Sequence, residues 1–168
     1  MNKIGVFYGS TTGTTEDVAR RIANKLNVPS SHVFDAAKLN ETLVGEYDVL
    51  VLGSSTWGSG ELQDDWYDGI KVLKKCDLSH KFVALFGCGD SDSYGDTFCD
   101  AIGILYEDLK DTRCKFCGAT SPSDYSFDSS IAVVDGKFIG LPIDELNEDD
   151  KTDGRISTWV EQLKQEIS

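Results

Sequence analysis

Two rhythms of apolar and polar positions run along the chain. Lys3–Tyr8, His32–Asp35, Asp48–Gly53 and Lys81–Phe86 are short and almost continuously apolar. Such runs predict strands covered on both faces, as in a parallel sheet. Between and after them the apolar residues recur at helical spacing. Val18, Ile22 and Leu26 follow at every fourth position, with Ala19 and Ala23 beside them. Trp66, Ile70 and Leu73 make a second stripe, Phe98, Ala101, Ile102, Leu105 and Leu109 a third, and Ile156, Trp159, Val160, Leu163 and Ile167 a last one. A weak helical stretch separates the second and third strands. Thr14 and Asp17 stand where a capping box would open the first helix, with Asp in place of Glu.

Alternation of strand and helix predicts an α/β protein, a doubly wound five-stranded parallel sheet with helices on both faces. Residues 114–143 break the alternation. Lys115–Ala119 begins a fifth strand, a polar stretch TSPSDYSFDSS follows, and Gly140–Ile143 completes the strand. Between them Asp135-Gly136, flanked by apolar runs, predicts a two-residue hairpin turn. The segment therefore reads as an insertion that splits the fifth strand. No linker or internal repeat divides the chain, so residues 1–168 read as one domain.

In an open α/β sheet, ligands bind beyond the C-terminal strand ends, at the switch point in strand order. Three glycine-rich polar loops follow the first, third and fourth strands: GSTTGTT, GSSTWGSG and GCGDSDSYGD. All three emerge at one edge. The first can cradle an anion through backbone N–H groups, the following helix N-terminus and the hydroxyls of Ser10, Thr11, Thr12, Thr14 and Thr15. It is not a Walker A loop, because that motif's second glycine and lysine would fall at Thr14 and Thr15. Trp57 and Tyr94 sit in the other two loops with polar or glycine neighbours, and no apolar stripe claims them. Two such aromatics suit a flat ring stacked between them.

Charge sharpens the picture. The net charge is −13, which argues against nucleic acid and anionic membranes as partners. Segments 61–68, 90–100 and 144–153 hold 14 acids and one base, and therefore the whole excess. Five cysteines with no disulfide framework, no signal peptide and no bilayer-length apolar run predict a cytoplasmic protein. Cys114 and Cys117 form a CxxC, but on a strand their side chains would point to opposite faces, wrong for a metal or redox pair. Cys88 has no histidine partner and reads as a small packing residue on a ligand-side loop.

These motifs resemble the flavodoxins along the whole chain. The family's T/S-x-T-G-x-T phosphate motif is matched by Ser10-Thr11-Thr12-Gly13-Thr14-Thr15, and its two flavin-stacking positions by Trp57 and Tyr94. The insertion with its hairpin resembles the long-chain subgroup. The resemblance implies strand order 2-1-3-4-5 with FMN at the switch point. It implies a cofactor site of Ser10 to Thr15, Thr56, Trp57, Gly58, Ser59, Gly60, Cys88, Gly89, Asp90 and Tyr94, with no catalytic residue and no metal. Gly89 and Asp90 would meet the flavin's pyrimidine edge through their backbone. The Gly58–Ser59 peptide would reorient with the redox state, which glycine allows at little steric cost.

The implied function is low-potential one-electron transfer by FMN, cycling between semiquinone and hydroquinone in place of ferredoxin. The implied partners are redox proteins with basic faces, of the ferredoxin/flavodoxin-NADP reductase, pyruvate-oxidising or nitrogenase type, served by a monomer whose acidic edge steers them. The alternative on the same fold is an FMN-dependent NAD(P)H quinone or nitro reductase. Against it, no nicotinamide pocket is evident and the acidic edge would repel that anionic cofactor. A receiver-type signalling module would need acids at the ends of the first and third strands, which end in Gly9-Ser10 and Gly53-Ser54.

Overall fold

The computed structural model of the chain describes residues 2–168. Its strands are β1 (Ile4–Gly9), β2 (Val33–Asp35), β3 (Val49–Trp57), β4 (Glu61–Leu62), β5 (Phe82–Cys88), β6 (Lys115–Cys117), β7 (Val133–Val134), β8 (Lys137–Phe138) and β9 (Leu141–Ile143). The central sheet runs β2-β1-β3-β5 in parallel. Its last track is shared: β6 lies along Phe82–Ala84 and β9 along Phe86–Cys88, both parallel to β5. The order is the expected 2-1-3-4-5, and the fifth strand is split as the polar interruption predicts.

The split has a local cause. Gly118 ends β6 at φ +85, where the indole of Trp159 leaves no room for a Cβ and its Nε1 donates to Gly118 O at 2.7 Å. The chain then leaves the sheet until Gly140. Within the excursion, Asp135 (φ 53) and Gly136 (φ 80) turn β7 into β8, the left-handed pair that a two-residue hairpin requires.

Five helices complete the order: α1 (Thr14–Lys25), α2 (Glu41–Gly45), α3 (Asp65–Lys74), α4 (Asp100–Leu109) and α5 (Asp149–Glu166). Alternate residues of each buried strand feed opposite cores. Val6, Val51, Ala84 and Phe86 pack with Val18 and Ile22 of α1 and Trp159 and Leu163 of α5. Phe7, Leu50, Leu52, Val83 and Leu85 pack with Trp66 and Leu73 of α3 and Ile102 and Leu105 of α4. Continuous apolar strands are thus explained by two covered faces.

Three local expectations change. Thr14 and Asp17 form no capping box: Gly13, at φ 97, is the N-cap residue of α1 and no side chain caps it. The third strand does not stop at Gly53 but runs to Trp57 and folds back, pairing Thr56 with Leu62 and Trp57 with Glu61. Much of the second glycine-rich loop is therefore a hairpin, closed by the Gly60 N–H donating to Trp57 O at 3.1 Å. Phe98 lies ahead of α4 and reaches the core from the loop. Cys114 and Cys117 do fall on opposite sides, Cys114 against the α3/α4 core and Cys117 in the α1/α5 core.

Candidate functional site

All three glycine-rich loops emerge at the C-terminal edge of the parallel strands, and a pocket of about 400 Å³ lies among them. Of the residues expected to form a site, Thr12, Thr14, Thr56, Trp57, Gly58, Cys88, Gly89, Asp90 and Tyr94 line it. Ser10, Thr11, Gly13, Thr15, Ser59 and Gly60 do not, and each has a different place.

The first loop is shaped by hydroxyls. Ser10 Oγ accepts from Gly13 N at 3.0 Å, which turns the chain into α1. Gly13 has nothing within 4 Å of an added Cβ, so its demand is the left-handed backbone alone. The amides of Thr11, Thr12, Thr14 and Thr15 donate to no group among the described residues, as expected at a helix start. The Thr15 side chain is buried, and its hydroxyl has no hydrogen-bond partner among the described residues. A buried hydroxyl without a partner costs free energy, so the loop has unmet donors. No Lys or Arg lines the pocket among the described residues. Arg20 and Arg21, on α1 beyond the loop, pair instead with Glu16, Asp17, Glu145 and Asp153.

The second loop presents the indole. Trp57 is 40% exposed, and its Nε1 donates to Ser55 Oγ at 2.7 Å, which fixes the ring's rotation. Gly58 (φ 51) and Gly60 (φ 92) both sit in the left-handed region at the hairpin turn, with Ser59 exposed between them. Gly60 is pressed against Asp100: an added Cβ would lie 2.7 Å from its Oδ2. That contact ties the turn to α4, and Thr56 Oγ1 accepts from Ala101 N at 3.2 Å in the same place.

The third loop is organised by carboxyls. Asp90 Oδ1 accepts from Ser93 N (3.0 Å), Asp92 N (3.2 Å) and Asn147 Nδ2 (2.8 Å). The bonds from the Ser93 amide and Asn147 hold the Asp90 carboxyl below its ordinary range. Asp90 O accepts from Tyr94 N at 2.9 Å, which sets the phenol at the pocket mouth, 53% exposed. Cys88 forms the floor. Burial pushes its thiol up to about 12, which suits packing rather than attack.

Four pocket residues escape the sequence reading: Ser55, Thr97, Glu145 and Leu146. Thr97 carries a second buried hydroxyl without a partner. Leu146 is 75% exposed, and its signal was available, an apolar residue alone in the acidic run DELNEDD. The acidic segments also divide. Asp144 and Asp100 are buried and bonded to the backbone, while Glu145, Glu148 and Asp153 are paired with bases. Glu61, Asp64, Asp92, Asp96, Asp149 and Asp150 remain exposed, as does Asp68 beside Lys71.

Fold and pocket together define the class, a doubly wound α/β protein whose pocket opens at the switch point of its strand order. Residues 6–159 match the family model described as Flavodoxin. "Flavodoxin 1" of Azotobacter vinelandii is 42% identical over 173 aligned positions that cover 99% of this chain and 98% of that protein. The flavodoxin of Nostoc sp. (strain PCC 7120) is 43% identical, with 98% and 97% covered. Among solved structures, Fusobacterium nucleatum flavodoxin bound to flavin mononucleotide superimposes with a TM-score of 0.88 at 30% identity, covering 99% of both chains. The chain belongs to the flavodoxin family, whose members are FMN-based electron-transfer proteins rather than enzymes. No helix among the described residues is long and apolar enough to cross a membrane.

Proposed function

We propose that the protein holds FMN in this pocket and works as a low-potential one-electron carrier in the cytoplasm, shuttling electrons between redox enzymes in place of ferredoxin. The observation that carries the reading is the pairing of unmet donors with exposed rings: the amides of the first loop lack partners, while Trp57 and Tyr94 stand open at the pocket that Thr12 and Thr14 of that loop line. A phosphate monoester satisfies the first set and a flat ring system the second. The pocket is within the usual ~300–1,000 Å³ of cofactor sites.

Ser10 to Thr15 would hold the phosphate through backbone amides and hydroxyls. Trp57 and Tyr94 would flank the ring, with Thr56, Gly58, Ser59, Gly60, Cys88, Gly89 and Asp90 along its edge and floor. Bound there, FMN supplies one-electron exchange that no side chain of this chain offers. The chain's part is electrostatic and conformational. With Asp90 and Glu145 in the pocket's lining and no base there, added negative charge is disfavoured, which pushes the potential down. The exposed acids and the exposed side chains of Trp57, Tyr94 and Leu146 suit partners with basic faces, of the NADP-reductase, pyruvate-oxidising or nitrogenase type, met by a monomer.

Titration of the apo-protein with FMN and with riboflavin tests the cradle. Thr12→Ala and Thr15→Ala are each expected to weaken FMN by about tenfold, the size of one hydrogen bond to a charged group, and to leave riboflavin unchanged. Equal FMN affinity in both variants would refute the hydroxyl cradle. Potentiometry tests the turn. Gly58→Ala forces a Cβ into the left-handed region, which costs about 1 kcal/mol. Because that strain is already present in the structure described, the potential of the first electron is expected to move only by the part that differs between redox states, at most about 40 mV. An unmoved potential would remove Gly58 from the redox response.

A further inference from the structure

We propose that Gln63 is a positioning residue, a strut that couples the hydroxyl loop to the Trp57 hairpin and so makes the two ends of the pocket act as one site. The proposal rests on the FMN reading above and goes beyond it, because Gln63 does not line the pocket.

Gln63 is 4% exposed, yet each polar group of its side chain is used. Its Nε2 donates to Thr11 Oγ1 at 3.3 Å and to Asp65 Oδ2 at 3.0 Å, and its Oε1 accepts from Asp65 N at 2.9 Å. Its own N–H donates to Ser54 Oγ at 3.1 Å, and that hydroxyl donates to Ser55 O at 2.8 Å. The end of β1 is closed onto it: a Cβ on Gly9 would lie 2.5 Å from Gln63 Oε1. One residue therefore reaches Thr11, the neighbour of Thr12 in the first loop, and Ser54, which leads to Ser55, Thr56 and Trp57 in the second.

The chemistry calls for an amide. Nε2 must donate to two oxygens at once, one of them a carboxyl oxygen of Asp65, while Oε1 accepts. A carboxylate in this place would face Asp65 with like charge, and an aliphatic side chain would strand the Asp65 amide. If Gln63 served only to start α3, its bonds to Asp65 would suffice. The bond to Thr11, 52 residues away, is the one that reaches the first loop.

A ligand that touches both ends should sense the strut more than a ligand that touches one. The apo-protein of wild type and variants is titrated with FMN and with riboflavin, which shares the ring and lacks the phosphate. In Gln63→Leu the preference for FMN over riboflavin is expected to fall about tenfold, the upper range for a single hydrogen bond. Thr11→Val, which cuts the same bond from the exposed side, should show a similar fall, and the double variant should add little to either. Gln63→Glu should lose more of the preference at pH 8 than at pH 5 relative to wild type, since only the charged form repels Asp65 and the phosphate.

An unchanged preference in folded Gln63→Leu, or additive losses in the double variant, overturns the strut. Where Gln63→Leu does not fold, Thr11→Val decides: an unchanged preference there overturns it equally. A wild-type protein that binds neither flavin overturns the cofactor reading, and the strut with it. General loosening of the fold would weaken both flavins alike, so the ratio separates positioning from stability.

Discussion

Replacing Asp144 with alanine is expected to cost about 3 kcal/mol of folding stability, because its buried carboxyl accepts several part-buried hydrogen bonds, each worth ~1.5–3 kcal/mol when the acceptor is charged. Asp144 is fully buried directly after β9. Its Oδ2 accepts from Ser91 N at 3.1 Å and from the Ser91 hydroxyl, and its Oδ1 from Asn147 N at 3.0 Å. Asn147 Nδ2 bonds both oxygens of Asp144 and continues to Asp90 Oδ1. One carboxyl group therefore ties the loop that carries Tyr94 to the segment that carries Leu146. Urea unfolding of the apo-protein reads the stability, and FMN titration reads the loop. Asp144→Asn keeps the shape but turns an NH₂ toward Ser91 or Asn147, so it should fall between wild type and alanine. A loss below about 0.5 kcal/mol for the alanine variant, the level of an ordinary surface change, would mean that the loops are held by something else.

The same network is sensitive to acid. Asp90 has its carboxyl depressed by the bonds it accepts. A depressed carboxyl contributes stability that is present above its unfolded value and is lost as pH falls through the folded one. The loop's hold should thus weaken below the ordinary carboxylate range, not near neutrality.

Gly53→Ala is expected to cost a further large amount, about 3 kcal/mol, through overpacking at the centre of the sheet. A Cβ there would lie 2.0 Å from the Phe86 ring across the β3–β5 pair, where Gly53 is directly opposite Phe86. Trp66 Nε1 also donates to Gly53 O at 2.8 Å, so the strand cannot move aside without breaking that bond. The next residues on β3 are Ser54 and Ser55, and Cys88 pairs with Ser55, so displacement would travel to the pocket floor. Gly53→Ala combined with Phe86→Leu should be more stable than the two single losses predict, with a coupling of about 1 kcal/mol. Additivity in denaturant unfolding would show that the ring and the new methyl do not compete for space.

Much of the site was legible because it rests on local chemistry. A run of small hydroxyl residues between a strand and a helix marks a loop with open amides, and aromatics among glycines and polar residues mark exposed rings. What failed was also local in appearance. Thr14 and Asp17 have the composition of a capping box, but the left-handed Gly13 already turns the chain into α1 and takes the N-cap position. The second loop reads as irregular because its glycines and serines outweigh the strand preference of Thr56 and Trp57. Pairing with Glu61–Leu62 and the Ser54 hydroxyl overrides that preference.

The acidic segments show where composition stops being informative. Charge counting puts the whole acidic excess in three segments that hold 14 acids. Whether an acid faces solvent, a base or a buried amide depends on partners far along the chain: Asp144 on Ser91, Asp100 on Ile131, Glu145 on Arg21. Hydrophobic periodicity in this sequence by itself determined the class of fold, the split fifth strand and the edge where the loops meet, since these follow from which positions must leave water. Only the tertiary structure decided which hydroxyls were left without partners, which carboxyls became struts, and that a glutamine in an acidic segment joins the two halves of the pocket. Those outcomes depend on distances of about 3 Å between residues ~50 positions apart, the range over which hydrogen bonds act and sequence spacing does not.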